Sequence, residues 1–446
     1  MNPLSAGVTA LLALCVMVLP RPYMAVPILA SACYIPLAQT IMVGPLDFGA
    51  VRILISVGWL RLLLRKEVDG FEVNRLDVAI LLYALSATLT HTILVGTVGA
   101  LVNRLGLVYN ALGLYFLFRL SVRTHDEIAF TIRSLIPLIV PLAAGMLVEY
   151  ATGRNLFSVF GGVGDVSAIR YGRVRCQGPF AHPILAGTVG ASVLPLIVSQ
   201  LWHSTQARRA AWIGVAACAC IVITSGSSGA LLTLLGAAVG LSFWWFRPYL
   251  RAARWGLVLG VIALAVVMKA PVWFVIARIS SLTGGTGWHR SYLIDRAVHY
   301  FDEWWALGTT YTAHWMPNAL PSNPDMADIT NNYIYEGVNG GLLSMLLFIF
   351  ILVRGFQAVG IGMRNAAQCP FAHHVLIWSL GASLLAHAMA MMSVAYFDQI
   401  VVFWYLLLAM VANACLSRLG LACETDTDMP AETPNTMQPI EPCRVA

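Results

Sequence analysis

The stretch "RYGRVRCQGPFAHPILAG", residues 170–187, sets Arg170, Arg173 and Arg175 close together and then runs through Gly178, Pro179, His182 and Pro183 into an apolar segment. A basic loop feeding an apolar run is the pattern of a chain entering a bilayer from a polar face. The rest of the chain agrees. Of 446 residues, 59% are hydrophobic and 11% are charged, whereas ordinary soluble domains carry roughly 25% charged residues. Lipid offers no partner to a backbone polar group, so each crossing needs a helix of about 20 mostly apolar residues. Segments near 4–20, 23–43, 50–64, 77–97, 104–121, 132–151, 182–201, 210–225, 228–246, 254–276, 332–353, 373–393 and 396–417 fit that description. The predicted fold class is therefore all-α, a polytopic integral membrane protein with about 12–13 transmembrane helices.

Lys and Arg are enriched in cytoplasmic loops. Arg21; Arg61, Arg65, Lys66 and Arg75; Arg119 and Arg123; Arg208 and Arg209; Arg247, Arg251 and Arg254; Arg354 and Arg364; and Arg418 fall in alternate loops, which assigns them to the inside. The N-terminus is then outside and the C-terminus inside. The first segment lacks a basic n-region and a small-residue cleavage site, so it reads as a span and not as a removable signal. The two longest loops, 152–181 and 277–331, are left on the periplasmic side. The first carries Arg154, Arg170, Arg173 and Arg175 against Asp165, an excess of arginine on the side where the topological bias disfavours it. Interfacial snorkelling is one explanation. The preferred one is an anionic ligand met from the outer leaflet, because the planar guanidinium fork is well matched to phosphate.

Several classes are not supported. The nine cysteines show no CxxC and no zinc spacing, so neither a disulfide framework nor a metal site is expected. No Gly-rich phosphate loop follows a strand-like segment, so no nucleotide cofactor is expected, and no nucleic-acid partner. No sequence repeat and no paired broken helices of the transporter kind are apparent. The acidic, Pro- and Thr-containing tail 419–446 reads as disordered.

The second outer loop contains "HRSYLIDRAVHYFDEWWALGTTYTAHW" and leads into "DITNNYIYEGVNGG". Leu293, Ala297 and the Tyr300/Phe301 pair recur at helical spacing, which predicts an amphipathic helix over 288–305 that could lie on the membrane surface. Trp288, Trp304, Trp305 and Trp315 suit interface anchors, or platforms for sugar rings. His314, Asp328, Asn331, Asn332 and Glu336 collect before and at the next span.

Taken in order, "RCQGPFAHPILAG", the polar break "TSGSSGALL", "HRSYLIDRAVHYFDEWWALGTTY" and "ITNNYIYEGVNGGLLSMLLFIF" resemble the O-antigen ligase and polymerase (Wzy/WaaL-type) family of bacterial membrane glycosyltransferases, over roughly residues 170–350. The resemblance implies a GT-C-like membrane fold in the bacterial inner membrane. It would comprise N-terminal helices over 1–151, a ligase-like core over 152–353, and C-terminal helices over 354–418. It implies a polyprenyl-diphosphate-linked oligosaccharide as partner in a bed of membrane lipids, with other polysaccharide export and chain-length proteins as possible associates. In the family, one arginine of the first motif and one of the third hold the donor diphosphate, and Arg175 and Arg290 match them. Arg173 and Arg296 are near neighbours; His182, Asn331, Asn332 and Tyr333 complete the implied substrate-binding set. Where many members carry His-Asn this chain has Asn331-Asn332, and its motif variants are more similar to polymerases of exopolysaccharide clusters than to lipid A-core ligases.

The chemistry also follows from the residues. A sugar linked through its anomeric carbon to a diphosphate is already activated, so transfer needs an aligned acceptor hydroxyl, stabilisation of the leaving diphosphate, and in some cases a base. Arginines can stabilise that leaving charge in place of a divalent metal. No metal is therefore expected. A base, if used, would be His314 or Asp328. Each has a plainer role open to it: His314 as an ordinary loop histidine, Asp328 as a helix cap. His182 can equally fix the start of its helix. Asp47 and Arg52 suit a structural pair, and Glu149 and His387 are polar groups within spans. Two other functions remain open: a transporter or flippase of an anionic lipid-linked substrate, and a non-catalytic component of a polysaccharide assembly complex.

Overall fold

The computed structural model describes residues 1–44, 46–170, 172–283, 287–317, 319–320 and 323–416. The expected tail 419–446 lies outside them. The chain is mostly helical. It begins with α1 (Pro3–Val18) and α2 (Ala25–Tyr34), turns through a hairpin of β1 (Thr40–Val43) and β2 (Leu46–Gly49), and continues as α3 (Ala50–Leu64), α4 (Arg75–Val95), α5 (Val98–Ser121) and α6 (His125–Thr152). A second hairpin, β3 (Ala168–Arg170) and β4 (Arg173–Arg175), precedes α7 (Pro183–Ser199), α8 (Thr205–Thr224), α9 (Ser228–Ser242) and α10 (Leu250–Val267). Then come α11 (Phe274–Thr283), α12 (Gly287–His299), α13 (Phe301–Trp304) and a third hairpin, β5 (Ala319–Leu320) with β6 (Asn323–Ala327). The chain closes on α14 (Asn332–Asn365), α15 (Phe371–Ala390) and α16 (Ile400–Leu416).

Among the described residues, seven helices are long and apolar enough to cross a membrane: α4, α5, α6, α7, α8, α10 and α14. Shorter apolar helices, among them α1, α9 and α16, fill other expected spans. The segment expected to span 23–43 does not. It gives ten-residue α2 and then β1, because Pro36 disfavours helical geometry at the residue before it, and Ile35 is extended at φ −102, ψ 116. The three hairpins are the departure from an all-helical chain.

Helix ends follow the local sequence. Asn74 and Thr124 each form a capping box with the acidic residue three places on, Asp77 and Glu127. α7 lies inside, packed on α8, α9 and α15; α14 runs along α4, and α16 packs on α5 and α14. By contrast α10 buries none of its residues fully, and nearly all of its apolar side chains are exposed. The polar ends away from the long loops are tied down: Arg119 pairs with Asp77 at 3.0 Å and Arg61 with Glu67 at 3.1 Å. Cys15, Cys33, Cys176, Cys218, Cys220 and Cys415 are free, and Cys369 is disulfide-bonded.

The amphipathic helix expected over 288–305 is present as α12 followed by α13. Part of its apolar side packs against protein, while Trp288, Val298 and Phe301 stay exposed. Leu293 and Ala297 are buried in a small core with Trp304, Trp315, Ile334 and Val338, which docks the loop onto the start of α14. Trp304 donates to the Ala297 carbonyl at 2.8 Å and Trp315 to Glu303 at 3.1 Å. Only Trp288 and Trp305 of the expected anchors are exposed.

α14 is broken. Gly341 takes φ 73, ψ 177 inside the helix, and the loop fills the gap: Thr309 N–H donates to Val338 O and Leu342 N–H to Trp305 O, both at 2.8 Å. A Cβ at Gly341 would lie 2.4 Å from Ala306 O, so only glycine admits both this backbone and its neighbour.

Candidate functional site

Four sequence motifs meet at one end of the bundle. The Cys176 N–H donates to Thr224 O at 3.0 Å, setting the 170–176 hairpin on the "TSGSSG" turn between α8 and α9. There Gly226, at φ +56, leaves room for the Arg175 stem; a Cβ would approach Arg175 Cγ to 3.2 Å. The Ala181 N–H donates to Asp398 Oδ2 at 2.7 Å, joining the start of α7 to the α15–α16 connection. That connection is tied in turn to the start of α14, by Asn332 N–H to Met391 O and Tyr396 N–H to Asn332 Oδ1, both 2.7 Å. The α12 motif reaches the same place through the core it shares with Ile334 and Val338.

The hairpin rests on a buried carboxylate. Glu149, fully buried near the end of α6, accepts from Ser167 Oγ at 2.9 Å, Gln177 N–H at 3.0 Å and Gly178 N–H at 2.9 Å. Glu149 is thus bound to the loop that carries the arginines. The Arg175 guanidinium has no hydrogen-bond acceptor among the described residues, and its Nε is buried without a partner. Burial, and then the neighbouring Arg170 charge, hold its pKa below the usual arginine range. His182 caps α7, its Nδ1 accepting from Ile184 N–H at 3.2 Å. Although its ring is exposed, surrounding protein, then Arg175 and Arg170, push its pKa down to about 4, so it is neutral at physiological pH. Arg173 is exposed.

Arg290, on α12, is 8% exposed and makes no hydrogen bond or ion pair with the described residues. Burial alone lowers its pKa. Arg296 stacks over the Tyr292 ring at 4.5 Å with its Nε unpartnered, and Tyr292 stacks on exposed Trp288 at 5.0 Å, a ladder along one side of the helix. Arg170 bears on Arg175 but Arg290 does not, and no hydrogen bond among the described residues joins the two arginine groups.

The remaining predicted residues are held by the fold. Asn331, not Asp328, caps α14, accepting from Tyr333 N–H at 3.0 Å and Ile334 N–H at 3.2 Å. Asn332 joins α14 to the α15–α16 connection, and Tyr333 OH donates to Ala388 O at 2.8 Å. His314 pairs with Glu303 at 3.0 Å and stacks on Tyr311. Asp328 is exposed, with its carbonyl 3.3 Å from His289 Nε2. Asp47 and Arg52 do form an ion pair. His387 Nδ1 meets Tyr396 OH at 2.6 Å.

A cavity of about 330 Å³ opens beside this assembly, between α3, α4, α5, α14, α16 and the α15–α16 connection, with Tyr83, Arg104, Glu336, Tyr396 and Asp398 in its wall. Glu336 Oε2 accepts from Tyr83 OH at 2.7 Å. Arg104 donates to Asn339 Oδ1 at 3.1 Å and sits 2.9 Å from His91 Nδ1. It thereby places a cation at the C-terminal end of the half-helix that Gly341 interrupts, where the helix dipole favours one. Asp398 is the residue shared between cavity and loop. Its φ of 64 lies in the left-handed region, and burial outweighs its backbone hydrogen bonds to raise its pKa to about 6. Arg104 and Asp398 carry no motif; the signal the sequence held for both is a charge within the expected spans 104–121 and 396–417.

No family model and no curated protein sequence matches the chain.

Proposed function

We propose that the protein is a membrane glycosyltransferase that transfers or polymerises glycan units from a polyprenyl-diphosphate donor at the periplasmic face, in exopolysaccharide or O-antigen synthesis. The observation that carries this reading is the half-buried Arg175 guanidinium, without an acceptor among the described residues, beside Arg170 and near His182, whose neighbour Ala181 is hydrogen-bonded to Asp398 in the cavity wall. A cation withdrawn from water without a counter-charge is costly unless an anion arrives to pair with it. A diphosphate supplies that anion, and the fork of Arg175 stabilises the charge that grows on it as the anomeric bond breaks. Arg290 and Arg296, also without acceptors among the described residues, would meet the rest of the donor, and the Trp288–Tyr292 stack offers a face to its sugars. Purified protein given a radiolabelled polyprenyl-diphosphate oligosaccharide should release polyprenyl diphosphate, and Arg175→Ala should abolish the release. Release at the wild-type rate by Arg175→Ala would remove this site from the chemistry.

One observation favours a second reading, a transporter or flippase of an anionic lipid-linked substrate. α14 is interrupted at Gly341, and Arg104 and Glu336 line a cavity within the helices, the arrangement by which transporters hold substrate at a break in a span. Movement of labelled donor between leaflets without any bond cleavage would favour that reading.

A further inference from the structure

Asp398 combines three features that no structural role requires together. It lies in the wall of the 330 Å³ cavity. It also accepts from Ala181 N–H at 2.7 Å, next to His182 and the arginine hairpin, so one carboxylate borders both the place suited to a diphosphate and the place suited to a second molecule. Finally, it keeps a left-handed backbone, φ 64, one of two such non-glycine residues among those described, in a conformation that Asp and Asn accept more readily than most residues.

We propose that Asp398 is the general base of the transfer, taking the proton of an acceptor hydroxyl bound in the cavity. This rests on the glycosyltransferase reading above. In the step, the acceptor oxygen forms a bond to the anomeric carbon, the bond from that carbon to the diphosphate oxygen breaks, and its electron pair leaves with the polyprenyl diphosphate. The hydroxyl proton passes to the Asp398 carboxylate and from there to water. The cavity suits a sugar acceptor: Tyr83, Tyr396 and Tyr405 give faces and hydroxyls, and Glu336 and Asp398 accept from sugar hydroxyls.

The groups around Asp398 fit the role. From the α7 side come His182, neutral at physiological pH, with Arg175 and Arg170 behind it. From the cavity side come the Asp47–Arg52 pair, Glu336 on α14 and Arg104 on α5; from its own connection comes Tyr396. Burial lifts the Asp398 carboxyl to about 6, which brings its proton affinity toward that of an efficient base at neutral pH. By contrast His314 is engaged with Glu303, Asp328 is exposed, and neither lines the cavity.

The test uses the full chain in nanodiscs with a polyprenyl-diphosphate oligosaccharide and a glycan acceptor. Asn tolerates a left-handed backbone and its carbonyl still accepts from Ala181 N–H, so Asp398→Asn should fold. Wild-type transfer should rise with pH through about 6. Asp398→Asn should lower the transfer rate about 10²–10⁴-fold, lose that acidic limb and bind donor as wild type does. Asp398→Gly, which accepts the φ with no strain, should lose the same activity and regain part of it with added formate. Transfer by either variant within threefold of wild type, or an acidic limb retained in Asp398→Asn, would overturn the proposal. So would a loss of donor binding equal to the loss of rate. Absence of transfer by the wild-type protein itself would overturn the glycosyltransferase reading instead, and the two failures are distinguishable.

Discussion

Replacing Glu149 by Gln tests how the arginine hairpin is held. The carboxylate is fully buried and accepts three hydrogen bonds, two at Oε1 from Ser167 and Gln177, and one at Oε2 from the buried Gly178 N–H. Glutamine can present its carbonyl oxygen to the first pair, but it then turns an NH₂ group toward the Gly178 N–H, donor against donor. A buried N–H left without an acceptor costs about 1–3 kcal/mol. Each 1.4 kcal/mol is a factor of about ten in an equilibrium, so local opening of residues 176–178 should increase between several-fold and about a hundredfold. Hydrogen exchange of this segment in nanodiscs reads that opening directly. The hinge of the opening lies next to Arg175, so transfer should fall with it. Wild-type exchange rates in Glu149→Gln would refute the argument that this carboxylate carries the hairpin.

Arg175→Lys and Arg290→Lys keep the charge but lose the planar fork, and each should lose most transfer in a turnover assay at matched protein levels; full activity in either would exclude bidentate diphosphate binding by that residue. His314→Ala and Asp328→Asn should each cost far less than loss of either arginine, because His314 is spent on Glu303 and Asp328 is exposed and outside the cavity wall. His182 has its pKa lowered from about 6.5 to about 4 in the folded protein. The unfolded chain therefore binds a proton first as pH falls, and folding stability should decline between those values. His182→Asn keeps a helix cap and should flatten that decline in thermal melts taken from pH 7 to pH 4.

Where helices lie was legible because apolar runs of the right length leave the backbone few alternatives in lipid. The exception at 23–43 had its own signal in Pro36, which ended α2 early. The arginine cluster was legible too, because three arginines within six positions stand out in a chain so poor in charge; that they sit on a β-hairpin was not. The cavity was not. Arg104, Glu336 and Asp398 come from α5, α14 and the α15–α16 connection, far apart in the chain, and only tertiary packing brings them to one wall. The break in α14 had a visible cue in Gly340-Gly341, yet a Gly pair inside an apolar run is equally consistent with an unbroken span. What decided it was the 304–309 segment, whose backbone takes the hydrogen bonds that the helix gives up. The expected caps show the same limit: Asp328 and Asn331 are both good N-cap residue types, and only the backbone geometry shows that Asn331 does the work.

The central claim is tested most directly by proteoliposomes holding the purified protein, a polyprenyl-diphosphate oligosaccharide and a glycan acceptor, with glycan length and polyprenyl diphosphate measured together. The expected result is one polyprenyl diphosphate released for each glycan unit added, as a ladder of lengths for a polymerase or a single transfer for a ligase, and none from Arg175→Ala. Donor recovered intact, whether still in its original leaflet or moved to the other, would contradict the account.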